Sequence, residues 1–228
     1  MMKNLLASSC LFLIAASPVQ AKTNWSDFSV TYLNGGDYEV GDPDREVFTF
    51  EHASGTTWGD SFMFFDRLKS SDGSLETYGE FSPRVKFSDK QFGIFNNIYF
   101  APSIEMGPVN NYLWGVSTDI DVEAFAFLKL SAYLRDNGGG GDNNEQITVS
   151  WGIPIGPLFY DGFMDYATAR DGGKAQMNLT SQLKYDIGPH LNLSSKFYVG
   201  VEYVFWNNKF GIDGVDERNV NLLAKFHF

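Results

Sequence analysis

Cysteine is almost absent from this chain. Its 228 residues include one, Cys10, so no disulfide framework or thiolate metal site can be built from it. Histidine is nearly as scarce: His52, His190 and His227 lack the spacing of a metal centre. Basic charge is also short. The formal net charge is −11, which disfavours nucleic acid as a partner. Beyond residue 21 no run of about 18 apolar residues occurs, and a membrane-crossing helix needs one. The glycine run Gly138–Gly141 has neither the lysine nor the strand–loop–helix context of a phosphate-binding loop; it reads as a flexible tip. No cofactor is expected.

The one long apolar stretch lies at the start. Lys3 precedes Leu5–Ala16, and Ser17-Pro18-Val19-Gln20-Ala21 offers small residues for cleavage after Ala21. Residues 1–21 therefore read as a secretory signal peptide, leaving 22–228 as a single domain. Cys10 sits inside the apolar core, which continues past it, unlike a lipoprotein signal. Removing the peptide leaves no cysteine and a chain one unit more negative, because Lys3 is its only charged residue.

What is abundant is aromatic. Phe, Tyr and Trp make up 16% of the chain, with 21 Phe and 11 Tyr, yet mean hydropathy is −0.20. Alternation reconciles the two figures. In the last segment Val220, Leu222, Ala224, Phe226 and Phe228 share one face, and Asn221, Leu223, Lys225 and His227 the other. Residues at spacing two line one side of a β-strand. An apolar outer face and a wet inner one are what a lipid-immersed β-barrel requires.

Segments of this kind recur near 25–33, 46–53, 57–68, 76–88, 92–105, 111–122, 125–135, 145–155, 158–167, 175–187, 196–206 and 219–228, predicting an all-β, twelve-stranded antiparallel transmembrane barrel. Long polar connectors (34–45, 69–75, 136–144, 168–174, 207–218) alternate with short ones (54–56, 89–91, 123–124, 156–157); 106–110 and 188–195 fit less well. With both termini periplasmic, the long connectors become extracellular loops and the short ones periplasmic turns. Loop acids Asp37, Glu39, Asp42, Asp44, Asp213, Asp216 and Glu217 read as solvated charge.

Parity also nominates lumen residues. Tyr78, Glu80 and Arg84 oppose Thr77, Gly79, Phe81 and Val85; Phe127, Lys129 and Tyr133 oppose Leu128, Leu130 and Leu134; Lys184 opposes Leu183 and Tyr185. Strand 57–68 admits two facings. Asp60, Phe62, Phe64 and Asp66 share a face, and an aspartate in lipid is unfavourable, which favours pointing them inward. Asp161, Phe163 and Asp165 pose the same choice in strand 158–167 and resolve the same way. Aromatics stack on flat bases and ionisable groups bond sugar hydroxyls, so these residues suit a nucleoside track. They equally suit an ion-pair ladder that fills a narrow lumen.

Several blocks carry a family likeness: Trp25-Ser26-Asp27-Phe28-Ser29, Thr49-Phe50-Glu51-His52-Ala53-Ser54-Gly55, Trp58-Gly59-Asp60-Ser61-Phe62, Glu76-Thr77-Tyr78-Gly79-Glu80-Phe81-Ser82-Pro83-Arg84 and Gln182-Leu183-Lys184-Tyr185-Asp186. Together with the final aromatic strand, the chain resembles the Tsx family of nucleoside-specific outer-membrane channels, including OmpK-type porins. The resemblance implies a monomeric barrel that passes nucleosides and deoxynucleosides, is set in outer-membrane lipid and lipopolysaccharide, and serves some phages and colicins as a receptor.

Two rivals stand beside it. A plugged barrel for adhesion or surface recognition would show the same patterns. A barrel lipase is the other: His52 and Ser54 share a strand face, but no third orienting residue is evident, and the chain is not expected to be an enzyme. The terminal aromatic strand resembles the sorting signal read by the barrel assembly machinery. Deleting Phe228 should impair barrel assembly while leaving secretion intact, measured by the heat-modifiable mobility of membrane fractions; normal insertion of the truncated chain would contradict this.

Overall fold

Alternating residues can bury one face only by pairing every strand edge, and the sheet does so by closing. The computed structural model describes residues 22–228; the expected signal peptide lies outside them. The strands are β1 (Thr23–Gly35), β2 (Arg45–Thr56), β3 (Gly59–Ser70), β4 (Leu75–Phe92), β5 (Phe95–Met106) and β6 (Asn111–Ile120). The rest are β7 (Phe127–Asn137), β8 (Asn144–Ile155), β9 (Leu158–Ala167), β10 (Gln176–Asp186), β11 (Phe197–Asn207) and β12 (Glu217–His227). Each pairs antiparallel with its sequence neighbours, and β12 pairs with β1 to close a twelve-stranded barrel.

Three connectors differ from expectation. Residues 54–56 belong to β2, and the turn is Thr57–Trp58. There Gly59 is required, since a Cβ on it would stand 1.9 Å from the Arg84 carbonyl oxygen. Residues 89–91 lie inside β4, whose polar run mimics a turn; the strand continues to Phe92 through register shifts after Lys86 and Ser88. Such bulges break the period-2 signal without ending the ladder. Residues 188–195 hold a 3₁₀ turn, Gly188–Leu191, ended by Asn192 in the left-handed conformation (φ 55°).

The outer face is apolar and bare. Leu222 is 66% exposed and Phe228 72%, so the protein is inside out relative to one folded around an apolar core. Outward charges sit near the long-loop end, where Lys69 pairs with Glu46 at 2.9 Å and Tyr32 donates to the same carboxylate at 2.8 Å. The interior is the reverse: Ser29, Thr31, Arg84, Arg135, Lys184 and Asn221 are among the most buried side chains.

One apolar cluster interrupts it. Leu33, Val47 and Leu223 point inward and pack with Leu68 and Tyr38. Tyr38 comes from the first long loop and donates to Asn221 Oδ1 at 3.0 Å, while the Glu39 N–H donates to Glu217 at 2.9 Å. This corrects the reading of Glu217 as a solvated loop acid. It opens β12, is 2% exposed, and bonds Lys209, which a tight turn folds back over it. Asp42 does stay at the surface, where the Ser71 hydroxyl and the Asp44 N–H hold its carboxyl below the usual range.

The outward position of Leu222, midway along β12, makes a direct test. Leu222→Arg should destabilise the membrane-inserted barrel by roughly 2–4 kcal/mol, read from urea unfolding in vesicles. Unchanged stability would mean that this face does not meet lipid.

Candidate functional site

Cross-strand partners share a face, so the ladder fixes every facing from one inward contact. Asp60 pairs with Arg84, Phe64 with Glu80 and Asp66 with Tyr78. On the far wall Lys129 pairs with Asp119, Phe127 and Asp161 flank Gly152, and Asp165 pairs with Thr148. Tyr133 and Lys184 follow by parity. All eleven residues chosen from sequence therefore line the interior: Asp60, Phe62, Tyr78, Glu80, Arg84, Phe127, Lys129, Tyr133, Asp161, Asp165 and Lys184. Both ambiguous strands turn their aspartates inward, and Phe62, Phe64 and Phe163 with them.

These residues fall into three groups. Nearest the short turns, Arg84 is the hub. Its Nε donates to Asp60 Oδ1 at 2.8 Å, Nη1 to Ser117 at 3.1 Å and Nη2 to Asp119 at 2.9 Å, with a further bond from Nη2 to Asp60. The guanidinium lies 4.1 Å from the Tyr99 ring centroid, and Tyr99 donates to Asp119 at 2.6 Å. Lys129 on β7 reaches Asp60 on β3 at 3.6 Å and stands 5.9 Å from the Phe127 ring. That contact crosses the lumen, because β3 and β7 are four strands apart. Lys129 and Asp119 side chains are each 31% accessible, so this knot leaves room for water.

A second group occupies the wall made by β9 to β12 and β2. Lys184 donates to Asp161 at 2.6 Å and to Gln182 at 3.1 Å, with the Phe159 and Tyr198 rings beside it. Lys225 bonds Glu51. Towards the long loops, Arg135 grips Glu105 in a bidentate pair at 2.7 Å through both nitrogens, the strongest form of such a bond. Tyr78 donates to Glu80 at 2.6 Å and Thr148 to Asp165 at 2.5 Å.

The aromatic rings form a ladder along the β3–β4 wall. Phe62 and Phe64 centroids are 6.1 Å apart, and Phe64 and Tyr78 5.9 Å. Phe62 is 40% exposed and Phe127 39%, so their faces are open to the lumen. Sequence reasoning missed Tyr99, Phe159 and Tyr198. Counting in twos back from Glu105 places Tyr99 inward, but the bulged β4–β5 hairpin hid that register.

The histidines lie elsewhere. His52 is on the outer face and meets Ser26 at 2.9 Å; Ser54 instead bonds Ser61 at 3.0 Å. Among the described residues no carboxylate bonds His52. His227 pairs with Asp27 at 2.9 Å at the inner rim.

No protein-family model matches the chain, and no curated protein matches it. Solved structures do. A KdgM porin in complex with disordered oligogalacturonate superposes with TM-score 0.50 at 13% identity, covering 88% of this chain and 99% of that one. A Rhodopseudomonas blastica porin gives 0.33 at 10% identity, over 90% and 99%. The outer-membrane protein OpdK of Pseudomonas aeruginosa gives 0.31 at 8%, over 89% and 98%. The KdgM likeness bears on fold alone, and the chain has the porin-like barrel fold.

The hub geometry ranks two substitutions. Arg84→Ala leaves Asp60 and Asp119 with only the longer Lys129 contact to Asp60 as a cationic partner and should cost roughly 2–4 kcal/mol, a little under a dry ion pair. Lys129→Ala removes one half-exposed contact and should cost under about 1 kcal/mol. Urea unfolding of both variants checks the order; equal losses would contradict the hub.

Proposed function

We propose that this chain is an outer-membrane channel through which nucleosides and deoxynucleosides diffuse down their gradients. The observation that carries the reading is the ring ladder Phe62–Phe64–Tyr78, flanked on one lumen wall by Asp60 and Glu80, with Lys129 reaching Asp60 from the far wall and Phe127 beside that lysine. A nucleoside has a flat π-face at one end and hydroxyls at the other. Rings in series give it successive stacking positions, and flanking carboxylates and ammonium groups bond its ribose. Several weak positions in a row allow both entry and release.

The apolar outer band supports residence in the outer membrane, and the resemblance of the quoted blocks to nucleoside channels points the same way. Lipid and lipopolysaccharide, the assembly machinery acting on the last strand, and a phage or colicin docking on the long loops are the partners this reading brings, with the barrel acting as a monomer. A polyanion of the kind seen in the KdgM porin complex is a poorer fit, since acidic side chains crowd this lumen.

Planar-bilayer recording tests the reading. Adenosine or thymidine should partly block the ionic current, and ribose alone should do so poorly. Phe62→Ala and Phe127→Ala should each weaken that block by roughly 5- to 150-fold, as expected from about 1–3 kcal/mol per stacked base. A current indifferent to nucleosides, or blocked equally by simple sugars, would refute it.

A further inference from the structure

We propose that Glu217 ties the first and last long loops together inside the barrel mouth, making loop 36–44 a fixed constriction that confines solutes to the other side of the lumen. The inference rests on the channel reading above and adds what sets the width of one entrance.

It follows from which inward side chains are covered. Phe62 and Phe127 line open lumen and stay well exposed. On the β12–β1–β2 wall, towards the long loops, the inward residues Leu33, Val47, Leu223, Asn219 and Asn221 are instead all buried. A lumen wall is buried only where something lies over it, and here that is Tyr38. Its ring packs on Leu33, Val47 and Leu223, and its hydroxyl donates to Asn221 Oδ1 at 3.0 Å. The inward Arg45 faces the same ring, with its guanidinium 5.4 Å from the centroid.

The loop that carries Tyr38 is held along its length. The Tyr38 N–H donates to the Pro43 carbonyl at 3.1 Å, and Arg45 donates to the carbonyls of Val40 at 2.9 Å and Asp42 at 3.0 Å. Asp42 accepts from the Ser71 hydroxyl at 2.6 Å and the Ser71 N–H at 2.9 Å. The inward anchor is Glu217. One of its carboxylate oxygens, Oε2, takes both the Glu39 N–H of the first loop, at 2.9 Å, and the Lys209 ammonium of the last. Lys209 is itself buried, with the Trp206 ring 4.7 Å and the Phe210 ring 5.4 Å away. A buried ammonium that loses its carboxylate is left uncompensated, so the last loop cannot keep this fold without Glu217, and the first loses its inward tether. Pore width is one of the terms that decide what a channel passes.

The test pairs thiol accessibility with conductance in the full-length barrel inserted in lipid. Val47→Cys places a small thiol under the loop, and Phe62→Cys is the open-lumen control. A small charged thiol reagent should modify position 47 about tenfold more slowly than position 62. Adding Tyr38→Ala should speed modification at 47 by about tenfold or more, the scale of losing one hydrogen bond together with the ring's burial, and Glu217→Gln should speed it in the same direction. Tyr38→Phe keeps the ring and should stay near the unaltered rate. In planar bilayers Tyr38→Ala and Glu217→Gln should both raise the single-channel conductance. If Glu217→Gln fails to insert, Tyr38→Ala decides. Equal rates at 47 and 62 with the loop unaltered, or no acceleration on Tyr38→Ala, overturn the constriction; an inserted Glu217→Gln barrel with the unaltered rate overturns the tie. A barrel that passes no current overturns the channel reading, while the thiol rates still decide where the loop lies.

Discussion

Closure of β1 onto β12 is the constraint on which everything else depends. Backbone groups in hydrocarbon have no water to bond, so a sheet crossing a membrane must leave no edge. The seam runs from Ser29 opposite His227 to Gly35 opposite Asn221, and it fixes the register of the barrel. Once that register is set, parity decides for each strand which side chains meet lipid and which meet the lumen. A slip of one residue at the seam would turn Leu222 inward and Asn221 outward, exchanging the two faces.

The lumen then becomes a polar packing problem. Charges placed there persist only if paired, hydrogen-bonded or hydrated. The structure uses pairing and hydrogen bonding along the axis: a knot centred on Arg84 near the short turns, and carboxylates held by neutral donors further up, with an aromatic ladder beside them. On one wall Tyr38 of the first long loop packs against an apolar cluster of the strand residues Leu33, Val47 and Leu223. The open face of the ladder is thus left to the sector that carries Phe62, Tyr78 and Phe127.

Much of this was legible in the sequence, because a barrel exposes its period. Strands such as β7 and β10 alternate without interruption, and their inward sets could be named residue by residue. Asp60 and Asp165 were placed by the cost of aspartate in lipid, a single strong term. Legibility failed where the period breaks or where contacts are long in sequence. The bulges of β4 and β5 hid Tyr99 and moved a turn to Gly93–Ile94. No local pattern shows that Lys129 meets Asp60, that Tyr38 folds into the lumen, or that Glu217 is buried against Lys209.

The central claim is that nucleosides occupy the lumen beside the ring ladder. Residues 22–228 contain no cysteine, so single cysteines can be placed without background. The decisive measurement is the rate at which a small charged thiol reagent modifies Phe62→Cys, Phe127→Cys and the outward control Phe28→Cys in the inserted barrel, with and without adenosine. The account predicts that adenosine slows modification at positions 62 and 127 and leaves position 28 unchanged. Equal rates with and without adenosine at both lumen positions would contradict it.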